Sequence, residues 1–133
     1  MAFGIGELSR RSGCHVETIR YYERSGLIPK AARRGRNREY DKRDTDRLRF
    51  VRFARSMGFA TDDIHLLLRV REGIGSCDDV QAIGMARLAD VRSAIVQLTY
   101  WQDWLQETLE KCGDVSADDC PVVNAMSDQC KSA

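Results

Sequence analysis

At 133 residues, with 43% hydrophobic and 31% charged side chains, the chain can build one core, or a small domain with an appended helix, without disulfides. No run of about 18 apolar residues suggests a membrane span, and MAFGIGELSRRSG at the start lacks the apolar centre of a signal peptide. A cytoplasmic location is therefore expected, where clustered cysteines serve better as ligands than as bridges.

The net charge of +1 conceals a division: residues 1–71 carry 17 Lys and Arg against 9 Asp and Glu, whereas residues 72–133 carry 4 against 11. A basic half of this kind faces a polyanion such as double-stranded DNA, and the acidic half stays off it.

In chain order, Ile5, Leu8 and Ser9 recur at helical spacing until Gly13 interrupts them, and a second helix is expected from near Val16 to about Ser25, ended by Gly26. Two short helices around a glycine turn read as a helix-turn-helix. On the second helix Val16, Ile19 and Tyr22 face the core, while Glu17, Thr18, Arg20, Tyr21 and Arg24 lie on or near the outer face, where arginine and hydroxyl groups reach bases and phosphates. Lys30 to Tyr40 is basic and irregular; Gly35 suits a hairpin turn whose arginines form a wing over the phosphate backbone, and Tyr40 packs beneath it.

Asp41 or Asp44 is placed to cap a third helix, roughly Thr45 to Met57, with Leu48, Val51 and Phe50 or Ala54 as its apolar face. Arg43, Arg47, Arg49, Arg52 and Arg55 add positive surface to it. Thr61 is expected to cap a fourth helix with Ile64, Leu67, Leu68 and Val70 inward. His15 and His65 both fall in the basic half, and neither is assigned as a ligand.

After the Gly73-Ile74-Gly75 hinge, 34 residues between Cys77 and Cys112 contain no proline and one glycine, and they read as one helix. Ser76 and Asp79 outline a capping box, and the N-terminus of a helix favours a thiolate at Cys77. Steps of four and three pick out Gly84, Leu88, Val91, Ile95, Leu98, Gln102, Leu105, Leu109 and Cys112 as a heptad seam that needs a second helix. Such a helix is about 50 Å long, so its terminal thiols cannot meet within one chain. An antiparallel, symmetric homodimer instead places Cys77 beside the partner's Cys112 and Cys120, making two three-thiol sites across the interface.

Tyr100, Trp101 and Trp104 are expected to pack this helix against a basic half. Asp114, Asp118 and Asp119 are candidate oxygen donors in the loop before Cys120, Pro121 opens a short helix to about Met126, Cys14 packs, and Cys130 lies in a frayed tail.

The segments Val16 to Arg24 with Gly26-Leu27-Ile28, Arg38-Glu39-Tyr40, Arg49 to Arg52 and Gly58-Phe59 together resemble the MerR family of transcription regulators, over essentially the whole chain. Cys77, Cys112 and Cys120 match the cysteines of its heavy-metal sensors. The resemblance implies a mainly α fold: a winged helix-turn-helix DNA-binding domain over 1–72, a hinge and antiparallel coiled-coil dimerisation helix over 73–111, and a metal-binding loop, short helix and tail over 112–133. It implies DNA contacts from Glu17, Thr18, Arg20 and Tyr21 on the recognition helix and from Arg36 and Arg38 on the wing. It also implies promoter distortion on metal binding that lets RNA polymerase engage.

The family's sensors of copper, silver and gold usually carry serine at the position of Cys77, so three thiolates point to mercury, lead, cadmium or zinc, and zinc and cadmium ordinarily want a fourth ligand. Hg(II) is the first expectation, then Pb(II) or Cd(II), with Zn(II) and Cu(I) behind. The Cys112–Cys120 loop is one residue shorter than in the usual mercury type and resembles copper sensors in length. No nucleophile, acid-base pair or phosphate-binding glycine loop points to an enzyme. Two other readings stand beside the metal sensor: a thiol-based redox-sensing DNA-binding regulator, and an architectural dimer with structural zinc.

Overall fold

The computed structural model describes residues 2–30, 32–34, 37–113 and 116–131, and all of their side chains except those of 32–34, 37, 38 and 117. The elements are α1 (Ile5–Ser12), α2 (Val16–Arg24), β1 (Ala32–Arg34), β2 (Asn37–Glu39), α3 (Lys42–Ser56), α4 (Thr61–Arg71), α5 (Cys77–Glu110), a 3₁₀ turn (Ala117–Asp119) and α6 (Pro121–Lys131). They form two compact units, 1–87 and 88–133, with the break inside α5. The fold is mainly helical, as expected.

In the first unit, α1 closes on Gly13, whose φ of 74° is the left-handed conformation that glycine adopts without strain. The short turn to α2 follows. Leu8, Ile19, Tyr22, Leu27, Ile28, Tyr40, Leu48, Val51, Ala54, Ile64 and Leu68 form the core, joined by the buried Cys14. Val16 is only half-buried, so Ile19 and Tyr22 anchor the inner face of α2. Arg69 to Arg71 complete α4, and Arg71 stacks its guanidinium 5.2 Å from the ring centre of Phe50.

The hairpin expected around Gly35 is present as an antiparallel pair, Ala32 opposite Glu39 and Arg34 opposite Asn37, while Gly35 itself lies outside the described residues. Immediately after it, Tyr40 exchanges two backbone hydrogen bonds of 2.8 Å with Phe3, so the root of the hairpin is stitched to the N-terminal segment.

The third helix begins earlier than Thr45. Asp41 is its cap: its Oδ1 accepts from the backbone N–H groups of Arg43 (2.9 Å) and Asp44 (3.3 Å), and Asp44 Oδ2 accepts from the Asp41 N–H (2.9 Å). The two aspartates are thus the two halves of one capping box rather than alternatives. Burial pushes the Asp44 carboxyl above its ordinary value, and the nearby Asp41 and Glu23 charges add to the rise. At the fourth helix Ala60 occupies the cap position and makes no side-chain bond; Thr61 is the first helical residue, and Asp62 and Asp63 face the positive end of the dipole instead.

The arginines of α3 divide. Arg47 is drawn inward, donating from Nε to the Leu27 carbonyl (3.0 Å) and pairing with Glu72. Near the end of the first unit, Arg87 of α5 donates to the Met57 carbonyl at the close of α3.

In the second unit the buried hydrophobic residues seen in the first have no counterpart among the described residues; Thr108 is the buried side chain there, its hydroxyl donating to the Trp104 carbonyl (2.6 Å). Helix α6 runs on to Lys131, well past Met126, and contains Cys130, so that thiol is helical rather than part of a frayed tail.

Replacing Asp41 by Ala should lower stability by about 1–2 kcal/mol, read as a lower denaturant midpoint with unchanged slope. On α1, Glu7 accepts from Arg10 and Arg11, which hold its carboxyl at about 2 against an ordinary 4.5. A carboxylate with a depressed folded value stabilises fully above its unfolded value and loses that contribution as pH falls from about 4.5 through about 2. Acid titration of the melting temperature should therefore fall less steeply in Glu7→Gln across that window.

Candidate nucleic-acid interface and thiol positions

Helix α2 presents Glu17, Arg20, Tyr21 and Arg24 to solvent, with Thr18 half-buried at the margin of the same face. Arg20 Nη1 donates to Glu17 Oε1 one turn away (2.9 Å), an exposed pair that keeps the guanidinium extended along the helix. Tyr21 lies over Tyr22, ring centres 5.9 Å apart and inclined by 53°, so the buried ring fixes the exposed one. Burial pushes the Tyr22 phenol above its ordinary value, the neighbouring Cys14 adds to that, and Arg55 opposes it. Of the two expected wing residues, Arg36 lies outside the described residues; the backbone of Arg38 is in β2 and its side chain is outside the description.

The positive surface expected on α3 meets the end of α1, a pairing that the sequence reading did not include. Arg10, Arg11, Arg49 and Arg52 line a cavity of about 570 Å³ between the end of α1 and α3. Arg49 Nη2 donates to the Arg11 carbonyl (2.7 Å) and Arg52 Nη1 to that of Ser12 (3.5 Å), so two cations meet the negative end of the α1 dipole. Arg11 also lies 4.3 Å from the centre of the Phe3 ring. The signal was the spacing of Arg49 and Arg52, which puts both on one face of α3; their partners, contributed from residues 11 and 12, are not local in sequence. Such a cavity can receive an anion.

Five cysteines are free. Cys77 is exposed as the first residue of α5, and Cys112 is exposed just past its end, its Sγ 3.8 Å from the Thr108 carbonyl. Cys120 is half-buried directly before α6, where its carbonyl accepts the Asn124 N–H (3.0 Å). Asp119 Oδ2 accepts from the Ser116 hydroxyl (3.2 Å), and the Asp118 carbonyl lies 3.5 Å from the Asn124 amide; Asp114 is outside the described residues. Among the described residues of the single chain, no three His, Cys, Asp or Glu side chains converge as a metal site. Nor does any described helix have the length and apolarity to cross a membrane.

A glycine turn between two short helices, an exposed polar face on the second and a hairpin immediately beyond define a helix-turn-helix DNA-binding regulator, not an enzyme. Residues 3–70 match the MerR HTH family regulatory proteins and residues 45–108 the MerR DNA-binding family, and the chain belongs to the MerR family of transcription regulators. It is 35% identical over 127 residues to a mercuric resistance operon regulatory protein of Serratia marcescens, covering 92% of this chain and 85% of that one. Among solved structures it is similar to the regulator PbrR691 of Ralstonia metallidurans CH34 in complex with lead(II), with 32% identity, a TM-score of 0.72, and 93% and 98% of the two chains covered. It is also similar to a dual-function MerR of Bacillus megaterium MB1 in complex with mercury(II), with 31% identity, a TM-score of 0.60, and 94% and 99% covered.

The burial of Cys14 separates it from the other thiols. Brief alkylation of the native protein followed by peptide mass spectrometry should leave Cys14 unmodified, and alkylation in denaturant should modify it. Labelling of Cys14 in the native state at the rate of Cys130 would contradict that burial.

Proposed function

We propose that this protein is a metal-responsive transcription regulator that binds promoter DNA as a homodimer and activates heavy-metal resistance genes, with Hg(II) as its inducer. The observation that carries the reading is the state of α5 and its thiols. Leu88, Ile95, Leu98, Leu105 and Leu109 fall on the heptad seam, yet each is between 41 and 58% exposed in the single chain. An apolar stripe of this kind, interrupted at Gln102, is the mark of an unfilled interface, and a second α5 covers it. Run antiparallel, two such helices bring Cys77 of one chain to Cys112 and Cys120 of the other.

The donor set fits a thiophilic ion. All three thiols are unpaired by disulfides and outside the hydrophobic core, and soft thiolates select soft metals. Cys77, Cys112 and Cys120 would hold the ion, which supplies a charged cross-link between the two chains; each thiol loses its proton on binding, so affinity weakens in acid. The likeness to a mercuric resistance regulator and to a mercury-bound MerR supports Hg(II). Lead(II) is the second reading, favoured by the likeness to PbrR691 in its lead complex.

On DNA, Thr18, Arg20 and Tyr21, with Glu17 orienting Arg20, read the major groove from α2, and Arg36 and Arg38 of the wing hold phosphates. Deforming a promoter requires a few kcal/mol, roughly what a ligand-driven shift of dimer conformation supplies. That shift re-aligns the promoter elements for RNA polymerase.

Anaerobic titration of reduced protein with Hg(II), following thiolate-to-metal absorption, should show one ion in three-sulfur geometry for wild type and two-sulfur binding for Cys77→Ser, with Pb(II) competing more weakly. Identical spectra for the two proteins would remove Cys77 from the site. Tighter retention of Pb(II) than of Hg(II) would make lead the inducer.

A further inference from the structure

Glu23, on the inner side of the recognition helix, is only 5% exposed, and Tyr40 at the root of the hairpin is 1% exposed. The Tyr40 hydroxyl donates to Glu23 Oε1 at 2.7 Å, across 17 positions of sequence. A carboxylate in this setting holds a donor strongly, because the low local dielectric strengthens a charge-assisted bond and solvent does not compete for it. The same tyrosine is fixed on its other sides: its backbone is paired with Phe3, and the next residue, Asp41, caps α3. β2 ends at Glu39, directly before it.

We infer that the Tyr40–Glu23 hydrogen bond is the positioning device that sets the wing against the recognition helix, so that both engage one DNA duplex as a single rigid clamp. Glu23 and Tyr40 touch no base or phosphate in this role; they act through the β1–β2 hairpin on one side and through Arg20 and Tyr21 of α2 on the other. The two elements meet the duplex at separate places, groove edge and backbone, and a hairpin free to swing loses its phosphate contacts even when every arginine is intact. This inference rests on the DNA-binding reading above and adds to it a residue pair outside the contact surface.

Salt dependence separates positioning from folding. The slope of log K against log salt reports the number of phosphates neutralised, at roughly 0.9 per phosphate on duplex DNA. Binding of the full-length protein to a fluorescein-labelled random-sequence duplex should be measured over a salt series for wild type, Tyr40→Phe, Glu23→Gln and the double variant Tyr40→Phe/Glu23→Leu. The double variant leaves no buried carboxylate without its donor, and replacing both partners by apolar groups preserves folding, which a cooperative thermal melt checks. Tyr40→Phe and the double variant should lose about 1 to 2 from the magnitude of the slope, the loss of one or two phosphate contacts. Glu23→Gln keeps an acceptor for the phenol and should retain the wild-type slope. A wild-type slope in the folded double variant would overturn the tie while leaving DNA binding standing. A wild type that binds no duplex would overturn the DNA-binding reading and the tie together.

Discussion

A carboxylate enters a protein interior only with donors in place, and Glu23 meets that condition through a phenol that the chain delivers from beyond the hairpin. Several features of the first unit are consistent with this requirement. Tyr40 must be fully inserted, so the hairpin returns to the helical core rather than trailing from it; its backbone must pair, which recruits Phe3; and the chain must turn at once into α3, which Asp41 and Asp44 accomplish within one helical turn. Each of these is a backbone or side-chain hydrogen bond; the Tyr40–Glu23 bond lies in the core, and the Asp41 cap lies at its exposed margin.

Charge has two separate uses in this unit, although the sequence presents it as one excess. Arg20 and Arg24 remain at the surface of α2. Arg47, Arg49 and Arg52 bond backbone carbonyls of other elements, tying α3 to the loop after α2 and to the end of α1. Guanidinium suits both purposes, since one or two of its five donors can be committed to carbonyls while the rest face outward. Net charge alone therefore does not show which guanidinium donors are already committed to carbonyls.

The parts legible in the sequence were those governed by local spacing. Leu8, Ile19, Leu48, Val51, Ile64 and Leu68 recur with helical period and all are buried, and the glycines that stop helices do so at Gly13, Gly26 and Gly58 with positive φ. What was missed is nonlocal or depends on a competition between neighbours. Glu23 receives no position from the spacing of α2 because its partner Tyr40 comes from 17 residues away, and Arg47 reads as surface until Leu27 and Glu72 surround it. Asp41 and Asp44 were seen as rival caps because propensity does not reveal that they bond reciprocally. The length of α6 was underestimated because Ser127, Asp128 and Gln129 are polar, and polarity does not end a helix that has no breaker. For the thiols, spacing identified Cys77, Cys112 and Cys120 as candidates, but a spacing in one chain carries no coordinates for a second.

Arg87 gives the long helix a mechanical character. Its guanidinium donates to the carbonyl of Met57, the residue that caps the end of α3, beside Gly58, a position where any β-carbon would collide with that guanidinium. The opening turns of α5 are in this way tethered to the end of α3 at one exposed point. Whatever holds or frees this bond bears on the seam between the opening turns of α5 and α3, the helix whose cap begins one residue after Tyr40.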